Sequence, residues 1–292
     1  MMRVLLFVAT NIAVLVLLNI VLFIVQGVFH VRLGGYSGLL VIAAVMGMGG
    51  SFISLAMSKW IALRTTGAQV IQQPHNEAER WLLDTVRSEA QKAGIGMPDV
   101  AIYDAPDMNA FATGMRRDHA LVAVSTGLLH SMNRDQVQAV LGHEITHVAN
   151  GDMVTMGLIQ GVLNTFVIFF ARVIGSIIDN ALSGNRREGE GGGVFYFIIV
   201  MVLQTILGIF ASMIVMWFSR WREFRADAGG ARLGGRDNMV SALQCLAGNQ
   251  GETTLPKAIQ AFGISGAGGI SRLFMSHPPI EERIAALRTM SS

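Results

Sequence analysis

The sequence predicts an α-helical integral membrane protein with four transmembrane helices and a mixed α/β domain on the cytoplasmic side. Three observations predict it. Of 292 residues, 52% are hydrophobic and only 14% charged, against about 25% charged in an ordinary soluble domain, and the mean hydropathy is +0.49. Four apolar runs are each long enough to cross a hydrocarbon core of about 30 Å as a helix. Between the second and third runs, and again after the fourth, lie polar stretches with the periodicity of packed helices and strands.

The first run is Val4 to Val25. It exceeds the roughly 7–15 apolar residues of a signal-peptide core, so the expectation is a retained anchor. The second spans Leu39 to Met57, and residues 1–57 form an N-terminal membrane pair. The third runs from Met153 to Ile178 and the fourth from Val194 to Phe218, giving a hairpin over 153–218 with an outer loop at 179–193 that includes "EGEGGG". Gln160, Asn164 and Arg172 lie inside the third run, and such side chains need protein or water to face. Lys59, Arg64 and Arg80 follow the second run, and Arg220, Arg222, Arg225, Arg232 and Arg236 follow the fourth. Positive charge stays inside, which places 58–152 and 219–292 in the cytoplasm. Arg32, Arg186 and Arg187 count against that orientation.

In the polar segment, "NEAERWLLDTVRSEAQKAG" has helical spacing and Gly94 as its stop. "DVAIYDA" and "HALVAVSTGLL" read as strands separated by "PDMNAFATGMRRD". Asn133 caps a helix, "RDQVQAVLGHEITHVAN", ended by Gly151, with Val137, Leu141, Ile145 and Val148 as its apolar stripe. After the fourth run, "WREFRADAGGARLG" and "RDNMVSALQCLAGN" read as helices, "GISGAGG" as a loop and "PPIEERIAALRTM" as a closing helix. The net charge of +2, with no Lys/Arg tract, argues against a nucleic-acid partner. Cys245 is the single cysteine. No internal disulfide can form, and the residue reads as helix packing in a reducing compartment.

The chemistry concentrates in "HEITH", His143 to His147. Residues i and i+4 share a helix face, so both imidazoles can reach one Zn²⁺ at about 2.0–2.1 Å. Glu144, rotated by about 100°, can reach a water at that ion without ligating it. The plainer alternative is two surface histidines and a solvated glutamate. A catalytic zinc needs a third protein ligand, for which His75, His119, His130 and the acidic residues are candidates. The third and fourth runs return the chain to the same membrane face just before "WREFRAD". There Glu223 can ligate, and Asp227, four residues on, can hold a ligand histidine by its outer N–H. Alternatively both pair with Arg222 or Arg225.

"NAFATG", "GHEITHVANGD", "EFRADAGGA" and "SHPPIEERI", in this order, resemble the HtpX family of membrane-bound zinc endopeptidases, relatives of the CAAX-prenyl proteases, and the resemblance covers nearly the whole chain. The resemblance implies His143, His147 and Glu223 as ligands of one Zn²⁺ and Glu144 as the catalytic acid/base. It implies a gluzincin-like α/β zincin core, with "NAFATG" beside the cleft near an edge strand, so that Asn109, Ala110, Phe111 and Ala112 are candidate substrate contacts. It also implies quality-control cleavage of damaged or misfolded proteins in the bacterial inner membrane, with membrane-protein or unfolded polypeptides as substrates and the lipid bilayer as surroundings. His277, before a rigid Pro-Pro pair, is the candidate oxyanion donor; its alternative is to cap the last helix. Gly229-Gly230 is more glycine than a helix favours and puts that helix's extent in question. Two other readings stand beside the endopeptidase: a CAAX-type protease, and a non-catalytic metal-binding membrane protein or transporter. The oligomeric state has no signal in the sequence.

Overall fold

Why the polar segments fold around the HEITH helix is visible in a computed structural model, which describes residues 36–183, 194–248 and 277–290. Residues 1–54 with 156–215 form one compact unit, and 55–155 with 216–292 a second. The first expected span, Val4 to Val25, lies outside the described residues, as do the expected loops "EGEGGG" and "GISGAGG".

Three helices are long and apolar enough to cross a membrane, within Gly38–Thr66, Asp152–Asp179 and Val194–Gly234. They belong to α1 (Tyr36–Thr66), which precedes the polar segment, and to α5 (Asp152–Ser183) and α6 (Val194–Gly234), which follow it. Each is longer than its apolar run because nothing at the polar end breaks it. In the first unit, α1 and α5 cross at two glycines. A Cβ on Gly47 would sit 2.5 Å from the Thr165 backbone nitrogen, and one on Gly161 would sit 2.8 Å from Met48 Sδ. Small residues at the crossing allow the close packing on which helix association in lipid depends.

In the second unit a four-stranded sheet has the order β1-β2-β4-β3, with β1 Gln69–Val70, β2 Asp99–Tyr103, β3 Ala110–Thr113 and β4 Leu121–Ser125. β2 and β4 pair in parallel, and β1 and β3 are antiparallel at the edges. Val122 and Val124 face one side of the sheet, and Leu121 and Ala123 the other. The first side carries the main core. Onto it pack Leu82 and Val86 of α2 (Glu77–Ala93) and Leu128 of α3 (Thr126–Ser131). Val137, Leu141 and Ile145 of α4 (Arg134–Asn150), Leu243 of α7 (Arg236–Gly248) and Leu287 of α8 (Ile280–Thr289) complete it.

Two expectations change. "HALVAVSTGLL" is not all strand: Ser125 accepts a hydrogen bond from the Leu128 N–H and caps α3, so the strand stops there. "PDMNAFATGMRRD" is not only a connection, because Ala110–Thr113 is the edge strand itself. The expected caps of α4 are present. Asn133 and Gln136 form a reciprocal capping box, and Gly151 ends the helix at φ 70°, a left-handed conformation that glycine adopts without steric cost. Cys245 lies half-buried on α7 as a free thiol, its Sγ 3.8 Å from the Ser131 carbonyl.

Candidate metal centre

Two helices build the centre, and glycine brings them together. α4 carries His143 and His147 one turn apart; α6 carries Glu223 and Asp227 one turn apart. The Gly229-Gly230 pair does not end α6, which continues to Gly234. A Cβ on Gly230 would be 3.0 Å from the His143 backbone nitrogen and 3.1 Å from the Ala139 carbonyl oxygen, and one on Gly234 would be 2.8 Å from Ala139 Cα. On the facing helix, a Cβ on Gly142 would be 3.3 Å from Gly230 Cα. Backbone meets backbone, so the short Glu223 side chain reaches the imidazoles.

The three donor side chains form a compact triangle, with the two carboxylate oxygens of Glu223 sharing its third corner. His143 Nε2 is 3.1 Å from His147 Nε2 and 3.4 Å from Glu223 Oε2, and His147 Nε2 is 3.3 Å from Glu223 Oε1. Ligands at about 2.05 Å around a tetrahedral ion stand about 3.3 Å apart, close to the spacing of the imidazole pair and to the distance of each imidazole from its nearer Glu223 oxygen. Among the described residues, His143, His147 and Glu223 are the group whose donor atoms converge in this way. The outer nitrogens fix the tautomers. His147 Nδ1 donates to Asp152 Oδ2 at 2.6 Å, and His143 Nδ1 lies 3.0 Å from Asp227 Oδ1, off the line of a well-aligned hydrogen bond. Carboxylates only accept, so both Nδ1 atoms carry hydrogen and the Nε2 lone pairs face each other. Facing lone pairs at that separation need a cation or a proton between them.

Charge points the same way. Glu223 and Asp227 are each 1% exposed. With Asp152 and half-buried Glu144 they make four carboxylates around two guanidiniums, Arg283 and Arg222. Two negative charges remain, which a divalent ion would balance. In the bare cluster protons take that part. Burial alone would push His143 down, but the Asp227 and Glu223 carboxylates outweigh it and hold His143 up at about 10. Glu223 is opposed by burial, yet its imidazole contacts keep it well below the usual carboxylate range. The donor set and its surroundings fit a divalent metal.

Other expected site residues fall at varied positions. Glu144 is half-buried on α4, and its carboxylate makes no hydrogen bond to the described residues. His277 does not cap α8, whose N-cap is Pro279; its Nδ1 donates instead to Glu223 Oε2 at 2.8 Å, with 61% of the side chain exposed. His75, His119 and His130 are exposed and stand outside the triangle. Arg225 stacks over the Trp221 ring at 5.0 Å, and Arg222 reaches Glu223 only at 4.0 Å, so neither competes with the histidines for that carboxylate. Asn109 is tied to β4: its carbonyl accepts from the Ser125 N–H at 2.9 Å and its N–H donates to Ser125 Oγ at 3.0 Å. Ala110, Phe111 and Ala112 are half-buried along β3.

Two residues were missed by sequence reasoning. Asp152 is inside "GHEITHVANGD", but the glycine before it hides that the chain turns it back toward His147. Arg283 binds Asp227 through two bonds, Nε to Oδ2 at 2.7 Å and Nη2 to Oδ1 at 2.5 Å. The buried carboxylate of Asp227 was the signal that a distant arginine had to meet it.

Peptidase family M48 matches residues 76–291. Protease HtpX of Xanthomonas campestris pv. campestris (strain B100) is 63% identical over 288 residues, covering 98% of this chain and 97% of that protein. Protease HtpX of Stenotrophomonas maltophilia (strain K279a) is 63% identical over 286 residues with the same coverage. The crystal structure of S. mikatae Ste24p superposes with a TM-score of 0.63 at 19% identity, covering 92% of this chain and 62% of that one, a likeness of fold.

Proposed function

The chain belongs to peptidase family M48 and is a membrane-bound metallopeptidase, and from that premise we propose a zinc endopeptidase whose ligands are His143, His147 and Glu223 and whose acid/base is Glu144. The observation that carries the proposal is the convergence of two imidazole Nε2 atoms, 3.1 Å apart, on one carboxylate whose Oε1 and Oε2 lie 3.3 and 3.4 Å from them, spacings of the size found between zinc ligands. A divalent ion held there supplies Lewis acidity, polarising a carbonyl and acidifying water. Glu144 then takes a proton from the attacking water and delivers it to the departing amine as the peptide C–N bond breaks. Asp152 and Asp227 keep the imidazoles in the ligating tautomer. His277 donates its Nδ1–H to Glu223 Oε2 at 2.8 Å, and it would serve an oxyanion only with a second hydrogen on Nε2, since a neutral ring has one N–H.

Substrate backbone adds to the free edge of β3. Asn109 and Ser125 are a hydrogen-bonded pair across β3 and β4, and antiparallel pairs alternate. Ala110 and Ala112 therefore turn their N–H and C=O groups outward. Pairing through backbone reads side chains weakly, which supports unfolded chains as substrates. The apolar helices support substrates that are themselves damaged or misfolded membrane proteins, cleaved in quality control at the cytoplasmic face of a bacterial inner membrane.

The test pairs two variants of the purified full chain. Glu144→Gln keeps its zinc and loses cleavage of an unfolded substrate by a factor of about 10²–10⁴, the usual contribution of a positioned acid/base. Glu223→Ala loses tightly held zinc. Full proteolysis in the first variant, or unchanged metal content in the second, overturns the assignment.

A further inference from the structure

A cavity of about 300 Å³ opens beside the last turn of α4, with Met115, Arg116 and Arg117 on one wall and Asn150, Met153 and Thr155 on the other. It stands apart from the donor triangle: His143, His147 and Glu223 do not line it. Its chemistry is lopsided. Arg116 and Arg117 are exposed, and neither guanidinium has a hydrogen bond or ion pair with a described residue. No acidic side chain lines the cavity. The acidic residues next to its lining in sequence are already engaged, Asp118 by the Gly96 N–H at 2.8 Å and Asp152 by His147 at 2.6 Å.

The backbone keeps this space open. Gly114, at φ 130°, turns the chain out of β3. A Cβ on Gly151 would come within 3.3 Å of Arg117 Nη2, so any side chain larger than glycine's would press on the guanidinium. Met153 and Thr155 belong to the first turn of α5, where the apolar run begins. The cavity thus joins two unpaired guanidiniums to the polar end of a membrane-spanning helix.

We propose that this cavity binds the phosphate of an anionic phospholipid headgroup, with Arg116 and Arg117 as its ligands and Met115 and Met153 against the start of the acyl chains. Guanidinium donors match phosphate oxygens in a planar, two-point geometry. Basic pockets at the ends of membrane helices suit such headgroups, each basic side chain contributing about 1 kcal/mol near an anionic surface. The occupied cavity ties the end of the HEITH helix to the lipid surface at which the protease works.

The full chain, purified in neutral detergent, is titrated with phosphatidylglycerol or phosphatidylcholine, and bound lipid is counted by native mass spectrometry. Phosphatidylglycerol is expected to bind and phosphatidylcholine to bind weakly. Arg116→Gln and Arg117→Gln should each weaken phosphatidylglycerol about fivefold, the ratio equivalent to that contribution per charge, and Arg117→Lys should recover part of the loss. Zinc content, read in the same spectra, should stay constant, so the result does not depend on the catalytic reading. Equal binding of both lipids, or unchanged binding in both glutamine variants, overturns the proposal. So does displacement of the lipid by millimolar inorganic phosphate, which would assign the cavity to a free anion. Displacement by an acidic peptide would make it a substrate subsite and overturn the proposal equally.

Discussion

The two histidines are held by different means, and the difference sets what a substitution can reveal. His147 leans on Asp152, which among the described residues is otherwise faced by Arg222 at 3.9 Å. Asp152→Ala therefore removes one acceptor without stranding a tightly bound partner, and zinc affinity should fall about 10- to 100-fold, as competition with a chelator would show. Asp227 is a poorer probe. Its removal leaves Arg283 buried without its two-bond partner, a loss worth about 3–5 kcal/mol that would unfold the domain before it informed on the metal. Another buried carboxylate, Glu89 on α2, serves no such purpose: it is fully buried, and neither oxygen has a well-aligned hydrogen bond among the described residues. Burial pushes it up to about 8, with Lys92 and Gln138 opposing. Between its usual value and about 8 the folded chain keeps a proton that the unfolded chain releases, so stability falls as pH rises through that window. Glu89→Gln should leave stability unchanged at pH 5 and raise it at pH 8.5 by on the order of 3 kcal/mol, measured by denaturant unfolding in detergent.

The helix crossing decides whether the donors meet. Gly230 lies against α4 backbone, which cannot rotate aside as a side chain can. Gly230→Ala should destabilise the domain by about 1–3 kcal/mol as overpacking and weaken zinc binding by forcing His143 away from Glu223. Gly208, on the same helix, would meet nothing within 4 Å, so Gly208→Ala should be neutral or stabilising by up to about 1 kcal/mol. Thermal unfolding of the two variants with and without chelator separates the effects. This crossing also shows where the sequence was legible. The caps of α4, the 3.6-residue stripe and the HEITH spacing are local signals, and each appears as expected. The doubled glycine read as a weak point in a helix, because propensity is local while its use is tertiary. The strand at Ala110–Thr113 hid for a related reason: four half-buried residues with no alternation carry no period of two. The union of α4 with α6 was reachable only by reasoning that the hairpin brings the chain back, and that argument did not extend to Arg283 beyond it.

Across the chain as a whole, the remaining question is which side of the membrane holds the metal centre. Aromatic and basic side chains mark one boundary on two helices. Trp60 at the polar end of α1 is 56% exposed with Arg64 over its ring at 5.5 Å, and Trp221 on α6 is 50% exposed with Arg225 at 5.0 Å. Tryptophan settles at the headgroup level, and arginine there favours the cytoplasmic leaflet. Lys59, by contrast, is partly spent on Asp99 at 2.5 Å, and Arg222 points into the metal centre, so neither counts as a free surface charge. Arg64 and Arg225, each over a tryptophan ring, stand on this side, against Arg32 and the Arg186-Arg187 pair expected on the other, the latter accompanied by Glu188 and Glu190. The expectation that follows from these charges is the cytoplasmic side. Asp84 on α2 is well exposed, at 62% of its side chain, and in a Cys245→Ala background Asp84→Cys offers one reactive thiol. It should resist a membrane-impermeant maleimide in intact cells and react once the inner membrane is opened, while Gly192→Cys in the expected outer loop should show the reverse order. Labelling of Asp84→Cys from outside would place the catalytic domain on the far side and turn the substrates from cytoplasmic chains to exported ones.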